Sequence, residues 1–348
     1  MNKILYKIGH FTDIHLNPLS RIPRSRTESF HKDIRYKFRG LKDTIKKEKI
    51  DLMLMSGDLF HLKNQSLYTP GNLNYYQKLL DGLEVDIKTI PGNHDLSKSS
   101  YENIENSAYK AVTEMSRNLQ DLSLKGISRK IMCGGKEVDI NIFGLPYFPL
   151  EKLVGGLKEF HDKVISCHNG INIIMLHMDA LPNNDVPLFW QTISYRELLK
   201  YIPKVNIVCL GHIHQSFDVF SDTGQMISKP WAFSRVVNDE YVRSEVLEKV
   251  HKPSIAIIEF IDRDGKLIVE IKYESIPYVG FDIAFKKDDL LKELDKSKKV
   301  KSFVEALKKQ YGSVSDAFKI ENPEKLLQDL SIPKEVLACI EQYLESEA

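Results

Sequence analysis

Residues 89–95 read Thr-Ile-Pro-Gly-Asn-His-Asp, and this stretch decides the fold. The run from Val85 to Ile90, apolar apart from Asp86 and Lys88, has the make-up of a short strand. Pro91-Gly92 then turns the chain, so that an amide, an imidazole and a carboxylate stand at the strand's end. Asn93 offers a carbonyl oxygen to a cation, and His94 offers a ring that can ligate or carry a proton. Taken alone, Gly-Asn-His-Asp is an ordinary turn, because Gly, Asn and Asp are turn formers. Recurrence elsewhere in the chain gives it meaning.

Working outward, the same pattern returns four times. Residues 4–11 predict a strand that ends at Thr12-Asp13-Ile14-His15; in an extended segment residues two apart point the same way, so Asp13 and His15 are expected to converge. Leu52-Met53-Leu54-Met55 has the continuous apolarity of a strand covered on both faces and ends at Gly57-Asp58-Leu59-Phe60-His61. Residues 171–176 predict another such strand, ending at His177; a lone His there is more often structural than a ligand. Residues 205–210 repeat the pattern and end at Gly211-His212-Ile213-His214, where two histidines two apart are expected to act as a pincer, both rings on one side.

Ligands in layered α/β proteins collect at the carboxyl ends of strands. Five strand ends thus supply Asp13, His15, Asp58, Asn93, His94, His177, His212 and His214 to one rim. Mixed carboxylate and imidazole donors suit manganese, iron or zinc better than calcium or a Cys-based site. With a bridging carboxylate the inventory suits two cations, an arrangement used for in-line displacement at phosphorus.

The remaining chain sets bounds. A length of 348 residues allows one large domain with an appendage, and 42% apolar with 28% charged residues is the balance of a globular protein. A net charge of +1 argues against a global field for nucleic acid, so any such surface must be local. One local run exists: residues 21–49 hold eleven Lys or Arg against four Asp or Glu. Arg21, Arg24, Arg26, Lys32 and Arg35 are its candidate phosphate contacts, the alternative being a solvated helix face. Cys133, Cys167, Cys209 and Cys339 are dispersed, which predicts reduced, mostly buried thiols in a cytoplasmic protein. Neither a signal peptide nor a membrane span is expected. A helix is expected through Tyr75, Tyr76, Leu79 and Leu80, another over residues 151–170, and one amphipathic helix from Ile104 to Leu119. Hairpin strands are expected at 254–261 and 266–273, and Lys/Glu-rich helices after residue 285.

The series Asp-x-His, Gly-Asp, Gly-Asn-His-Asp, His and Gly-His-x-His resembles the calcineurin-like metallophosphoesterase superfamily. The wording at 57–61, 145–147 and 211–214 is most similar to SbcD-type DNA repair nucleases, and the short length and Lys229-Pro230-Trp231 to compact, phage-type members. The resemblance implies an α/β fold, a four-layer α/β/β/α sandwich over residues 1–284, followed by a small helical region at 285–348 that caps DNA or binds a partner. It implies one metal on Asp13, His15 and His214, a second on Asn93, His177 and His212, and Asp58 bridging them. Manganese is the expected metal, with magnesium as the alternative. His94 would act as general acid or transition-state stabiliser, Asp95 would orient its ring, and His61 would help place the substrate phosphate. The implied activity is that of a DNA exonuclease (3′→5′) and single-strand endonuclease in repair and recombination. It would work with an SMC-like ATPase in the cytoplasm, at the nucleoid or in a phage-infected cell. The stripe from Ile104 to Leu119 becomes a homodimer face. Two rival functions stand beside this one: a metallophosphoesterase for a small phosphodiester or phosphoprotein, and a catalytically idle end-binding scaffold. The chain departs from the branch at Leu16-Asn17-Pro18, where Leu-Gly is usual, and at Ser228-Lys229-Pro230, where a Gly-Ser-Pro or Gly-x-Pro turn is usual.

Overall fold

The computed structural model describes residues 2–23, 25–182, 192–234 and 252–286. Strand β2 (Leu52–Ser56) shows how the layers form. All five of its residues are buried, and they alternate: Leu52 and Leu54 join one apolar cluster, Met53 and Met55 another. A strand apolar on both faces must be covered on both faces.

One six-stranded sheet has the order β14-β13-β1-β2-β3-β4, with β1 Asn2–Phe11, β3 Ile87–Ile90, β4 Leu119–Asp121, β13 Ser254–Arg263 and β14 Lys266–Ser275. Strands β1 to β4 run parallel, and β13 and β14 are added antiparallel at one edge. The second sheet has the order β11-β12-β10-β7-β6-β5, with β5 Lys125–Cys133, β6 Lys136–Leu145, β7 Ile171–Met178, β10 Ile207–His212, β11 Phe217–Asp222 and β12 Gln225–Lys229. Strands β8 (Ala180–Leu181) and β9 (Ile193–Ser194) form a separate short pair. The sheets face each other across a core that includes Ile8, Leu54, Ile258 and Phe260 from one and Ile140, Ile173, Met175 and Ile207 from the other.

Helices cover the outer faces. Helices α1 (Phe30–Glu48), α2 (Pro70–Asp81) and α3 (Ala108–Met115) bury Phe38, Tyr76 and Val112 against the first sheet. Helices α4 (Leu150–Phe160) and α5 (Tyr195–Tyr201) bury Leu157 and Leu198 against the second. The architecture is therefore the α/β/β/α sandwich that the resemblance implies.

Three local expectations change. The helix expected from Ile104 to Leu119 is broken: Tyr101–Asn106 is a 3-10 segment, Ser107 caps α3 by accepting the Lys110 N–H at 3.0 Å, and Leu119 belongs to β4. Of its stripe, Ile104, Ala108, Val112 and Leu119 pack into the chain's own core, while Ala111 is half-buried and Met115 is exposed. Strand β5 and helix α5 carry weaker periodicity and were not anticipated. Cys133 and Cys209 are buried as expected, but Cys167 is exposed. Cys339 and the helices expected beyond residue 286 lie outside the described residues. A short turn, Phe281–Ala284, and the Lys286 N–H bonded to the Ser25 carbonyl at 3.0 Å tie the last described residues to the segment before α1.

Candidate metal centre

Strand register brings the candidate residues together. Phe11 lies beside Met55, and Ser56 beside Ile90, so the loops after β1, β2 and β3 leave the first sheet side by side. In the second sheet Gly211 pairs with His177. The Ser56 carbonyl accepts both the Thr12 hydroxyl at 2.9 Å and the His177 Nδ1–H at 2.8 Å, joining the two sheets at the rim.

The convergence of Asp13 and His15 has a different cause from strand alternation. Both are left-handed, with φ of 56° and 50°, as are Asp58 at 53° and His212 at 94°. Non-glycine residues take this region at a cost that functional sites commonly carry. Backbone bonds hold the loops in it: His15 N–H to the Asp58 carbonyl at 2.9 Å and His61 N–H to the Leu16 carbonyl at 2.9 Å. Gly92 is required because a Cβ there would stand 2.2 Å from Asp58 Oδ1.

Asp58 is central. Its Oδ1 accepts the His94 backbone N–H at 2.9 Å. Its Oδ2 lies 3.3 Å from His177 Nε2 and 3.6 Å from His15 Nε2. Among the described residues three donor groups have ligand atoms within 4.8 Å of one another: Asp13, His15 and His214; Asp58 itself with His177 and His212; and His15 with His61 and His94. His15 Nε2 and His214 Nε2 are 2.8 Å apart, and Asn93 Oδ1 is 3.3 Å from His177 Nε2. The expected pincer of His212 and His214 does not close on one point; the two rings serve opposite groups.

The donor chemistry fits divalent cations. His177 Nδ1–H is committed to Ser56, so its Nε2 faces His212 Nδ1 at 3.1 Å. His212 Nε2 is bonded to Asp179 Oδ2 at 3.1 Å, which leaves its Nδ1 as an acceptor. Two acceptors in contact need a positive charge between them. Burial opposes charging His177, but the Asp58 carboxylate outweighs it and carries the ring up to about 9. Burial, reinforced by His214, holds His15 well below the usual imidazole range despite Asp58, and its Nδ1 is buried without a hydrogen bond. Asp13 Oδ2 is likewise buried and lacks a hydrogen bond.

His94 sits beside the donor groups. Its Nδ1 donates to the His61 carbonyl at 2.5 Å, and its ring centroid is 5.0 Å from that of His15. The His61 ring stacks parallel to it at 5.7 Å, and burial lowers the His61 ring to about 4. Asp95 does not orient His94. It is fully buried and accepts three backbone N–H groups, Phe60 at 2.8 Å, Gly92 at 2.9 Å and Leu59 at 3.1 Å, so it fastens the loops after β2 and β3 to each other.

The basic segment divides. Arg21, Lys32 and Arg35 are exposed; Arg24 lies outside the described residues. Arg26 is no phosphate contact: it is fully buried, bonded through Nη2 to Asp33 Oδ2 at 2.9 Å and through Nε to the Ala284 carbonyl at 2.9 Å. Lys37 is buried on the same carboxylate at 3.1 Å. The α1 face read as a cation row turns part of its charge inward, because Asp33 sits where it can pair with two cations.

Sequence reasoning missed Asp179 and Lys229. Asp179 had a signal, as the polar residue two beyond His177. Lys229 stood out only within Lys229-Pro230-Trp231, with nothing to tie it to Asp13, since that approach depends on β12 pairing beside β10.

The calcineurin-like phosphoesterase family matches residues 6–216, more than half of the chain. The chain belongs to this family. Archaeal relatives named DNA double-strand break repair protein Mre11 are similar to it. The one from Archaeoglobus fulgidus is 22% identical over 307 residues, covering 80% of this chain and 64% of the relative. The one from Saccharolobus solfataricus is 24% identical over 233 residues, covering 64% and 53%. The chain thus spans less than two-thirds of either relative's length. The calcineurin-like phosphoesterase YfkN from Bacillus subtilis shares the fold, with a TM-score of 0.50 and 11% identity over 84% of this chain and 97% of that structure. By family the chain is a metal-dependent phosphoester hydrolase, and candidate His/Asp donor groups are present. No helix among the described residues is long and apolar enough to cross a membrane.

Proposed function

We propose that this phosphoesterase cleaves DNA as a two-cation phosphodiesterase. The observation that carries it is Asp58 Oδ2, 3.6 Å from His15 and 3.3 Å from His177, from where the carboxylate could serve a cation on either side. Asp13, His15 and His214 would hold one cation; Asn93, His177 and His212 would hold the other. When bound, the cations supply Lewis acidity at the phosphoryl oxygens and lower the pKa of the attacking water.

The chain's own residues do the rest. The His61 carbonyl fixes the His94 tautomer, so Nε2 is the nitrogen available to the leaving oxygen. Burial lowers the His94 pKa, with Asp58 and the His61 carbonyl opposing it, so the ring would give up a proton readily to the leaving oxygen, a contribution of about 10²–10⁴-fold. His61, stacked on His94, helps seat the phosphate. Arg21, Lys32 and Arg35 offer exposed charge to a long polyanion, which favours DNA over a small phosphodiester. Likeness to the Mre11 proteins supports a repair role. Manganese as the working metal, 3′→5′ exonuclease and single-strand endonuclease activity, an SMC-like ATPase partner and a homodimer belong to the same proposal.

The test is digestion of end-labelled duplex and circular single-stranded DNA with manganese, magnesium or EDTA, beside His94→Ala. Manganese-dependent degradation, lost in a variant that keeps its metal, is the expected result. Intact DNA with cleavage of bis-p-nitrophenyl phosphate would overturn the DNA assignment in favour of a small-molecule substrate. Loss of metal from His94→Ala would overturn the role given to that ring.

A further inference from the structure

Lys229 ends β12, which pairs parallel to β10 with Ser228 opposite Cys209. That register carries the lysine to the rim where His212 and His214 stand. Its side chain is 1% exposed, and its Nζ lies 3.6 Å from Oδ2 of the fully buried Asp13. The residue is anchored along its backbone: its N–H donates to the Tyr273 hydroxyl at 3.0 Å, and its carbonyl accepts the Ser216 hydroxyl at 3.0 Å. Nζ also reaches the Pro230 carbonyl at 3.3 Å.

Asp13 uses its two oxygens differently. Oδ1 accepts the His212 backbone N–H at 3.1 Å. Oδ2 has no hydrogen bond and is the oxygen that a cation on Asp13, His15 and His214 would take. The ammonium and a cation held there would therefore compete for the same oxygen. The opposite half is built with the reverse sign: His212 leans on the Asp179 carboxylate, and Asp58 Oδ2 lies nearer His177 than His15. A buried carboxylate without a counter-charge is costly, so a lysine at this distance stabilises the cation-free fold. The same charge repels an incoming dication.

We propose that Lys229 is a positioning residue that stands in for the metal at Asp13 and competes with it. The Asp13–His15–His214 side is then the weaker, exchangeable cation site. This rests on the two-cation reading above, and it adds the order in which the sites fill.

The experiment is Mn²⁺ titration of the chelator-stripped full chain by calorimetry, with thermal midpoints measured with and without metal. Wild type is expected to bind two cations with unequal affinity, the weaker step disappearing in His214→Ala. In Lys229→Met the weaker step tightens at least tenfold and the tighter step stays within about twofold. The same variant has a lower metal-free midpoint and gains more from Mn²⁺. Lys229→Arg, which keeps the charge, retains the inequality. Structural damage alone would not tighten a site. If Met at this buried position prevents folding, Lys229→Gln makes the same charge change and carries the same expectation. Weaker or unchanged binding in the neutral variants, with two cations still bound by wild type, would overturn the role of Lys229 alone. A wild-type chain that binds no divalent cation would overturn the two-cation reading and this one with it.

Discussion

The Asp95 carboxylate accepts the Phe60 backbone N–H at 2.8 Å, from a loop 35 residues earlier in the chain. This bond and its neighbours to Leu59 and Gly92 set the spacing between the loop that carries Asp58 and the loop that carries Asn93 and His94. Replacing Asp95 by Asn leaves one acceptor oxygen for three donors and aims an amide N–H at another N–H. Unmet buried donors cost about 1–3 kcal/mol each. Asp95→Asn is expected to lower the thermal midpoint and to reduce turnover through displaced loops. A calorimetric midpoint equal to wild type would refute this.

Asp179 fixes which His212 nitrogen faces the donor group. Partners of this kind typically contribute about 10–100-fold in metal affinity. Asp179→Ala should weaken Mn²⁺ on the His177–His212 side by that amount, with little change on the Asp13 side. Titration of both steps checks it; equal weakening of both would show a general disturbance of the rim.

His10 links the sheets below the rim. Ser56 Oγ donates to the Cys209 carbonyl at 2.9 Å, so His10 Nε2–H donates to Ser56 Oγ at 3.0 Å and Nδ1 accepts from Ser228 Oγ at 3.1 Å. Burial first, and Lys229 second, lowers its pKa to about 3. The unfolded chain, with an ordinary His near 6.5, therefore binds a proton that the folded chain does not between these values. The contribution is complete above pH 6.5 and declines as pH falls toward 3, at a limiting slope of about 1.4 kcal/mol per pH unit. Urea midpoints from pH 7 to 4 should fall more steeply for wild type than for His10→Gln. Parallel curves would remove His10 from the acid response.

Arg26 is structural, so its loss should be felt in stability. Its guanidinium lies between the rings of Phe30 and Phe285 at 5.0 and 4.9 Å and pairs with buried Asp33. Breaking a buried pair from one side costs about 3–5 kcal/mol. Arg26→Ala should lose about that much in chemical denaturation, while Lys32→Ala and Arg35→Ala stay within about 0.5 kcal/mol and instead lower the salt dependence of DNA binding. A stable Arg26→Ala protein with a reduced salt slope would restore the original reading of that arginine.

The sequence by itself determined the layers and the donor inventory. Buried strands announce themselves as contiguous apolar runs, and the turn chemistry at their ends is local, so Asp13, Asp58, Asn93, His177, His212 and His214 were all legible as strand-end residues. Tertiary structure decided which donor meets which. His212 and His214 part company because His212 alone takes φ of 94°, and Asp13 and His15 converge through left-handed backbone held by the Asp58 loop. Asp95 turned from a ring partner into a loop fastener, Arg26 from a surface cation into a buried one, and Lys229 reached Asp13 across 216 residues. None of these destinations is written in a period of two or 3.6 residues. Each depends on which strands lie side by side and on where an unpaired buried charge finds its counter-charge.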